Sequence, residues 1–88
     1  MTRLDRIALM EQAFDECTAA LDAYEAALPK LRALEKYLSS GQWLEDYETD
    51  EAGLIPAGMK RGVLSQDALF DLLSRDAALR KRIQEAEA

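Results

Sequence analysis

Apolar residues recur along the first third of the chain at intervals that alternate between three and four. The positions are Ile7, Met10, Phe14, Cys17, Leu21, Tyr24, Leu28 and Leu31. This spacing is the heptad pattern of a helix that presents one apolar stripe to another helix, and the stripe is widened by Leu4, Ala13, Ala20 and Ala27. Such a length would suit a coiled coil, whereas in a short chain a long amphipathic helix more often packs on its own neighbours.

Pro29 interrupts this pattern, because proline has no N–H to donate and disfavours helical geometry at the residue before it. One interpretation ends the helix near Ala27 and starts a new helix with Pro29 at its first position. The other is a single kinked helix. The apolar spacing continues through Leu34 and Leu38 without a polar loop, which favours a kinked helix over residues 3–38.

The composition changes in residues 41–64, which hold all four Gly, the only Trp and one of the two Pro. Ser39 and Gln42 have the spacing of a capping box, and a short amphipathic helix is predicted from Gln42 to about Asp50. One side of this helix carries Trp43, Leu44 and Tyr47. Acidic residues occupy the remainder, so the apolar side is expected to pack on the longer helices.

Glycines are predicted to set the turns on either side of the short helix. Gly41 suits the left-handed position after the first helix, and Gly53 is predicted to terminate the short one. An ordered loop then runs to Gly62, with Gly58 and Gly62 allowing positive φ.

Ser65 is predicted to begin a last helix over residues 65–85, because its hydroxyl can accept an unpaired backbone N–H. Leu64 and Leu69 have the spacing of a hydrophobic staple across that start. The buried stripe of this helix is predicted to be Leu69, Leu72, Leu73, Leu79 and Ile83.

No run of residues alternates apolar and polar side chains with the β-branched content of a strand. We therefore predict an all-α fold in a single helical domain over residues 1–88. It is a small helical bundle in which the long kinked N-terminal helix lies antiparallel to the C-terminal helix. The short Trp-containing helix and the ordered loop bridge them, over a core of Leu, Ile and Met side chains with Phe14.

The chain carries a formal net charge of −6, and residues 41–58 contain five acids and no base. Binding to nucleic acid depends largely on neutralising phosphates, so an acidic chain predicts no nucleic-acid partner. The charged N-terminus lacks the apolar segment of a signal peptide, and no apolar run approaches the length of a membrane span. We expect a soluble, cytoplasmic protein that does not enter a membrane.

Metal and catalytic chemistry have little support in the sequence. The chain has no His and a single cysteine, Cys17, which excludes the usual structural zinc sets and His-dependent nucleophilic catalysis. Asp46, Glu48 and Asp50 have the spacing of the start of a calcium loop, but the required Gly and closing Glu are missing. A near match to a phosphate loop at residues 53–60 lacks the Lys at the required position. No catalytic, cofactor-binding or metal-ligating residue is predicted, and an enzyme is disfavoured.

Two pairs of residues are candidates for an interaction surface. Trp43 and Tyr47 fit the core of a small helical protein, yet the same residue types also anchor partner interfaces. Lys60 and Arg61 could form ion pairs with acids of the short helix, or could bind a carboxylate or phosphate. The acids expected in reach are Glu45, Asp46 and Glu48. The candidate interaction surface consists of Trp43, Asp46, Tyr47, Lys60 and Arg61.

Three stretches carry a resemblance to a known family. They are Leu28-Pro29-Lys30-Leu31, SGQWLEDYETDEAG at 40–53 and KRGVLSQDALFDLL at 60–73. With these stretches the chain resembles a family of short bacterial proteins catalogued only as a domain of unknown function. The resemblance covers nearly the whole chain and implies a compact helical protein, but it brings no activity, cofactor or site residue.

Three hypotheses for function follow. The first is a protein-interaction module. If it is a homodimer, its subunit interface would contain Phe14, Leu21, Tyr24 and Leu28. The second is a small-ligand or cation-binding protein that uses the acidic segment 45–51 with Lys60 and Arg61. The third is an acidic protein that mimics nucleic acid. A protein partner or self-association is therefore predicted, with no cofactor.

Overall fold

Three α-helices account for most of the residues that the computed structural model describes, which are residues 1–87. Helix α1 spans Arg3–Ser39, α2 spans Gln42–Glu51 and α3 spans Gln66–Glu87, with a short 3₁₀ helix at Gly62–Leu64. No strand occurs within residues 1–87. The prediction of an all-α fold is confirmed, and each predicted helix boundary lies within about two residues of the observed one.

A reciprocal cap fixes the start of α1. The backbone N–H of Thr2 donates to Asp5 Oδ2 at 3.0 Å, and the N–H of Asp5 donates to Thr2 Oγ1 at 3.1 Å. These bonds satisfy N–H groups that have no partner within the helix. They also hold the pKa of the Asp5 carboxyl below its usual value, mainly because the Thr2 N–H stabilises the charged form.

Pro29 lies inside α1, which continues to Ser39 without a break. The missing proline N–H removes one hydrogen bond of the ladder, but the apolar positions after it keep the helical spacing. The prediction that the helix continues through Pro29 is therefore confirmed.

The chain divides into two compact units, Met1–Arg32 and Ala33–Ala88, and α1 contributes to both. In the first unit every side chain from Met1 to Ala23 is exposed. Phe14 is 68% exposed and lies outside the hydrophobic core, so its assignment to the core is wrong. The heptad pattern identifies the apolar side of a helix but does not determine what covers that side. A single domain over residues 1–88 stays a prediction.

The hydrophobic core of the second unit is centred on Trp43 of α2. Its buried residues are Trp43, Leu64 and Leu69, and the partly buried residues packed against them are Leu34, Tyr37, Leu38, Tyr47, Ile55 and Leu73. Burial of both Leu64 and Leu69 agrees with the predicted staple across the start of α3. The prediction that the α3 stripe is buried is wrong for three of its five residues, because Leu72, Leu79 and Ile83 are 41%, 41% and 45% exposed.

Glycine permits the two left-handed turns around α2. Gly41 has φ of 90° before the helix, and Gly53 has φ of 71° after it, conformations that cost other residues about 1–2 kcal/mol. Gly58 and Gly62 do not adopt positive φ, so that prediction for the loop is wrong.

Serine side chains behave differently at the two later helix starts. The N–H of Ala68 donates to Ser65 Oγ at 3.4 Å, which confirms the predicted cap of α3. The predicted capping box of Ser39 and Gln42 is wrong, because Gly41 precedes α2 without a side-chain cap. Ser39 Oγ instead donates to the carbonyl of Lys36 at 3.3 Å, since α1 runs through position 39.

None of the helices within residues 1–87 has an apolar stretch long enough to cross a bilayer.

Candidate functional site

An open cleft of about 290 Å³ lies in the second unit beside the core. It is lined by Tyr37, Asp46, Thr49, Ile55, Met59, Lys60, Arg61, Val63 and Leu64. Tyr37 comes from the end of α1, Asp46 and Thr49 come from α2, and the segment between α2 and α3 supplies the rest. The fold thus brings Asp46 to the same cleft as Lys60 and Arg61, which follow it only after the rest of α2 and part of the loop.

A hydrogen bond between α1 and α2 forms one polar wall of the cleft. Tyr37 Oη donates to Asp46 Oδ2 at 2.5 Å. Burial raises the pKa of Tyr37 to about 12, and the hydrogen bond to Asp46 and its negative charge act in the same direction. Gly41, in the left-handed conformation, joins α1 to α2, and the hydrogen bond links Asp46 of α2 to the last turn of α1. Because its pKa is raised, Tyr37 remains a neutral hydrogen-bond donor at neutral pH.

The guanidinium of Arg61 joins the loop to the end of α2. Arg61 Nη1 lies 2.5 Å from Asp50 Oδ1, and the two side chains are 56% and 21% exposed. The predicted partners Glu45, Asp46 and Glu48 are wrong, because the loop returns next to the last turn of α2 rather than its middle. An exposed pair of this kind contributes up to about 1 kcal/mol, so it holds the loop without strongly stabilising the fold.

Lys60 is the cation of the cleft whose charge is not paired with a described residue. It is exposed and forms no ion pair or hydrogen bond with any residue within 1–87. Asp46 accepts from Tyr37, while Arg61 is paired with Asp50. The remaining positive charge at Lys60 lies beside an apolar lining, an arrangement that could bind an anionic group attached to an apolar body.

Trp43 is a core residue rather than a surface residue. It is 7% exposed, and its Nε1 donates to the carbonyl of Val63 at 3.0 Å. Its ring stacks on Tyr47 with centroids 5.1 Å apart. The core interpretation of Trp43 is confirmed. Tyr47 is partly buried and lines a shallow depression next to Arg61.

Several cleft residues carried no signal in the sequence that marked them as part of a site. Tyr37 had the spacing of an ordinary apolar position on α1, and Thr49 and Met59 matched no motif. The buried Asp76, 8% exposed, was also missed; it pairs with Arg80 at 3.2 Å. A charged residue within the apolar spacing of α3 is the one signal that could have singled it out.

A second candidate surface is the apolar side of α1 in the first unit, called here the α1 stripe. The α1 stripe consists of Ile7, Met10, Phe14, Cys17 and Leu21. Ile7 is 50% exposed, Met10 is 60% exposed, and Phe14 and Leu21 are 68% exposed. Cys17 is a free, exposed thiol among them. These side chains form a continuous line along one side of the helix.

Within residues 1–87 no group of three or more Cys, Asp or Glu side chains is placed to hold a metal ion. Asp5, in the cap of α1, and Tyr37, bonded to Asp46, both have clearly shifted pKa values. Both shifts have a structural cause, and neither creates a group that titrates near neutral pH.

A protein-family model described as a domain of unknown function (DUF4298) matches residues 5–85. No curated protein matches the chain, and no solved structure matches it. The match covers both candidate surfaces, the cleft and the α1 stripe.

Proposed function

The chain belongs to the DUF4298 family of domains of unknown function, and we propose that it works as a non-enzymatic protein-interaction module that associates with itself. The α1 stripe is the interaction surface in this proposal. The observation that carries it is the exposure of large apolar side chains along one side of a helix that begins at a well-formed cap.

The exposure of the α1 stripe is unfavourable for an isolated chain. Four of its side chains are half to two-thirds exposed, and covering such surface yields about 25 cal/mol per Å². Soluble monomers rarely leave a long contiguous apolar patch open to water. An isolated helix in water is also only marginally stable unless its apolar side packs on something. Binding a partner therefore stabilises both the surface and the helix that carries it.

Charge supports the same assignment. Asp15, Glu16 and Asp22 lie away from the α1 stripe on the helix surface. They keep the remaining surface of the helix hydrated and repel unspecific contacts there, which leaves the apolar side for association.

Sedimentation velocity over a range of protein concentrations tests this proposal. We expect a reversible dimer that dissociates on dilution. Phe14→Glu combined with Leu21→Glu should abolish the dimer, whereas Ala19→Glu combined with Ala26→Glu, which places the same charge elsewhere on the helix, should leave it intact. A native chain that stays monomeric up to about 1 mM would contradict the proposal.

We further propose a cytoplasmic location. Cys17 is an exposed free thiol, and such a thiol persists in compartments kept reducing. Labelling of intact and lysed cells with a thiol reagent that does not cross membranes would check this, because labelling of intact cells would oppose it.

A second candidate function, the binding of a small anionic ligand, rests on the unpaired Lys60 at the cleft. A thermal-shift screen with phosphate, acetate, nucleotides and divalent metals tests it. We expect anions to raise the melting temperature of the native chain but not of the Lys60→Ala variant. A shift produced by metals alone, or one that survives in Lys60→Ala, would oppose this function.

A further inference from the structure

The positions on either side of the α1 stripe carry information about the direction of a partner helix. Ile7, Phe14 and Leu21 occupy the first position of successive heptads, and Met10 and Cys17 occupy the fourth. Residues that flank such a seam meet the flanks of the partner, and their charges set the partner and its orientation.

Arg6 and Glu11 are the charged residues that flank the exposed part of the seam. They lie on opposite sides of it, five positions apart. Neither forms an ion pair or hydrogen bond through its side chain with any other residue from 1 to 87. In two parallel helices in register, a flank of one helix meets the opposite flank of the other, five positions along. Arg6 of each copy then faces Glu11 of the other, which gives two attractive pairs.

The other flanking positions in this arrangement are neutral or unopposed. Ala13 of one copy faces Thr18 of the other, and Ala20 faces Glu25. No like charges meet. Small side chains beside the seam also allow the two helices to approach closely.

An antiparallel partner fits less well. The antiparallel arrangement that pairs every apolar position from Ile7 to Leu31 brings the same flank of both helices together. Glu11 of each copy then meets Glu25 of the other. Such like-charge contacts are destabilising, and here they would occur twice by symmetry.

We infer that the α1 stripe binds a second copy of this chain, with the two α1 helices parallel and in register. This inference rests on the proposed self-association and adds its direction and alignment. Both copies would bury identical layers of Ile7, Met10, Phe14, Cys17 and Leu21 along about 21 Å of helix.

Cys17 provides the test, because in register it faces Cys17 of the second copy across the helix pair. Facing positions of this kind fall in the range of Cα separations that a disulfide spans, about 4.4–6.8 Å. Oxidised glutathione at low protein concentration would serve as the two-electron oxidant, converting two thiols to one disulfide and leaving reduced glutathione. We expect the native chain to form a disulfide dimer on a non-reducing gel.

A matched control keeps one thiol on the same helix but moves it away from the seam, as Cys17→Ala combined with Ala19→Cys. The native chain should cross-link at least about tenfold faster than this variant, because pairing raises the local thiol concentration. Arg6→Glu should slow the native reaction, and adding Glu11→Arg should restore it by recreating the attraction with reversed signs. Circular dichroism confirms that each variant keeps its helices.

The outcomes separate this inference from the proposed function. Equal cross-linking by the two thiol positions, or no rescue by the charge swap, would overturn the parallel register. A dimer in sedimentation without a Cys17 disulfide would leave self-association standing and refute the register. A monomer in sedimentation would refute both.

Discussion

Replacing Trp43 should destabilise the second unit more than any other single change in α2. Trp43 is 7% exposed and is one of three buried apolar residues between positions 1 and 87. Its removal leaves a cavity between Leu64, Leu69 and the half-buried residues around them. Truncation of a buried Trp to Ala typically costs about 3–5 kcal/mol.

That cost is comparable to the whole stability of the unit. A unit of roughly 56 residues is expected to have a free energy of unfolding of about 3–8 kcal/mol. Trp43→Ala should therefore leave the second unit largely unfolded or at the edge of unfolding. Trp43→Phe keeps a ring but loses the donor to the Val63 carbonyl, which lies 3.0 Å from Nε1. An acceptor left without its partner costs about 1–3 kcal/mol.

Urea unfolding followed by far-ultraviolet circular dichroism measures both effects. A slope of about 1 kcal/mol per M converts the expected losses into a midpoint shift of about 3–5 M for Trp43→Ala and about 1–3 M for Trp43→Phe. Leu44→Ala is the matched control, because Leu44 is adjacent on α2 but 52% exposed. Its midpoint should shift by less than about 1 M. Similar shifts for Trp43→Ala and Leu44→Ala would refute the assignment of Trp43 to the core.

Three further predictions follow from local geometry. Tyr37 should titrate near pH 12 when followed by phenolate absorbance. Because its pKa is raised in the folded state, the stabilisation is fully present below about pH 10 and is lost as pH rises from about 10 to 12. Tyr37→Phe should remove this alkaline dependence of the free energy of unfolding, which is about 1 kcal/mol after allowance for solvent screening. Thr2→Val removes the Thr2 hydroxyl but keeps its backbone N–H, so it should raise the pKa of Asp5 only part of the way toward 3.8 in an NMR titration. Because the folded pKa is lowered, the stabilisation by the cap is present above the ordinary pKa and is lost as pH falls through the lowered one. Gly53→Ala should destabilise by about 1–2 kcal/mol at a φ of 71°, whereas Gly58→Ala should be neutral or stabilising by up to about 1 kcal/mol; equal effects in urea unfolding would contradict this.

Helix positions and most of their boundaries could be predicted from the sequence because the forces that set them are local. Ser65 caps α3, and the left-handed turns at Gly41 and Gly53 bound α2, through interactions within a few residues. The capping box predicted for Ser39 and Gln42 is absent at the start of α2, which shows the limit of reasoning from local sequence. Ser39 could cap α2 only if α1 ended before it, and α1 includes Ser39 as its last residue.

The cleft could be predicted only in part. Asp46, Lys60 and Arg61 belong to the predicted interaction surface, and they line one cleft. The hydrogen bond from Tyr37 to Asp46 and the choice of Asp50 by Arg61 were not predicted. Sequence spacing does not specify where an irregular loop places its side chains relative to the helices.

By itself, the sequence determined the helical class, the extent of each helix and the apolar side of α1. These follow from side-chain periodicity and from caps, which act within one or two turns of the chain. Only the tertiary structure decided that Trp43 is buried while Phe14 is exposed, and which acid Arg61 contacts. Burial depends on what the rest of the chain places against an apolar side, and that placement is a property of packing between distant residues rather than of any local pattern.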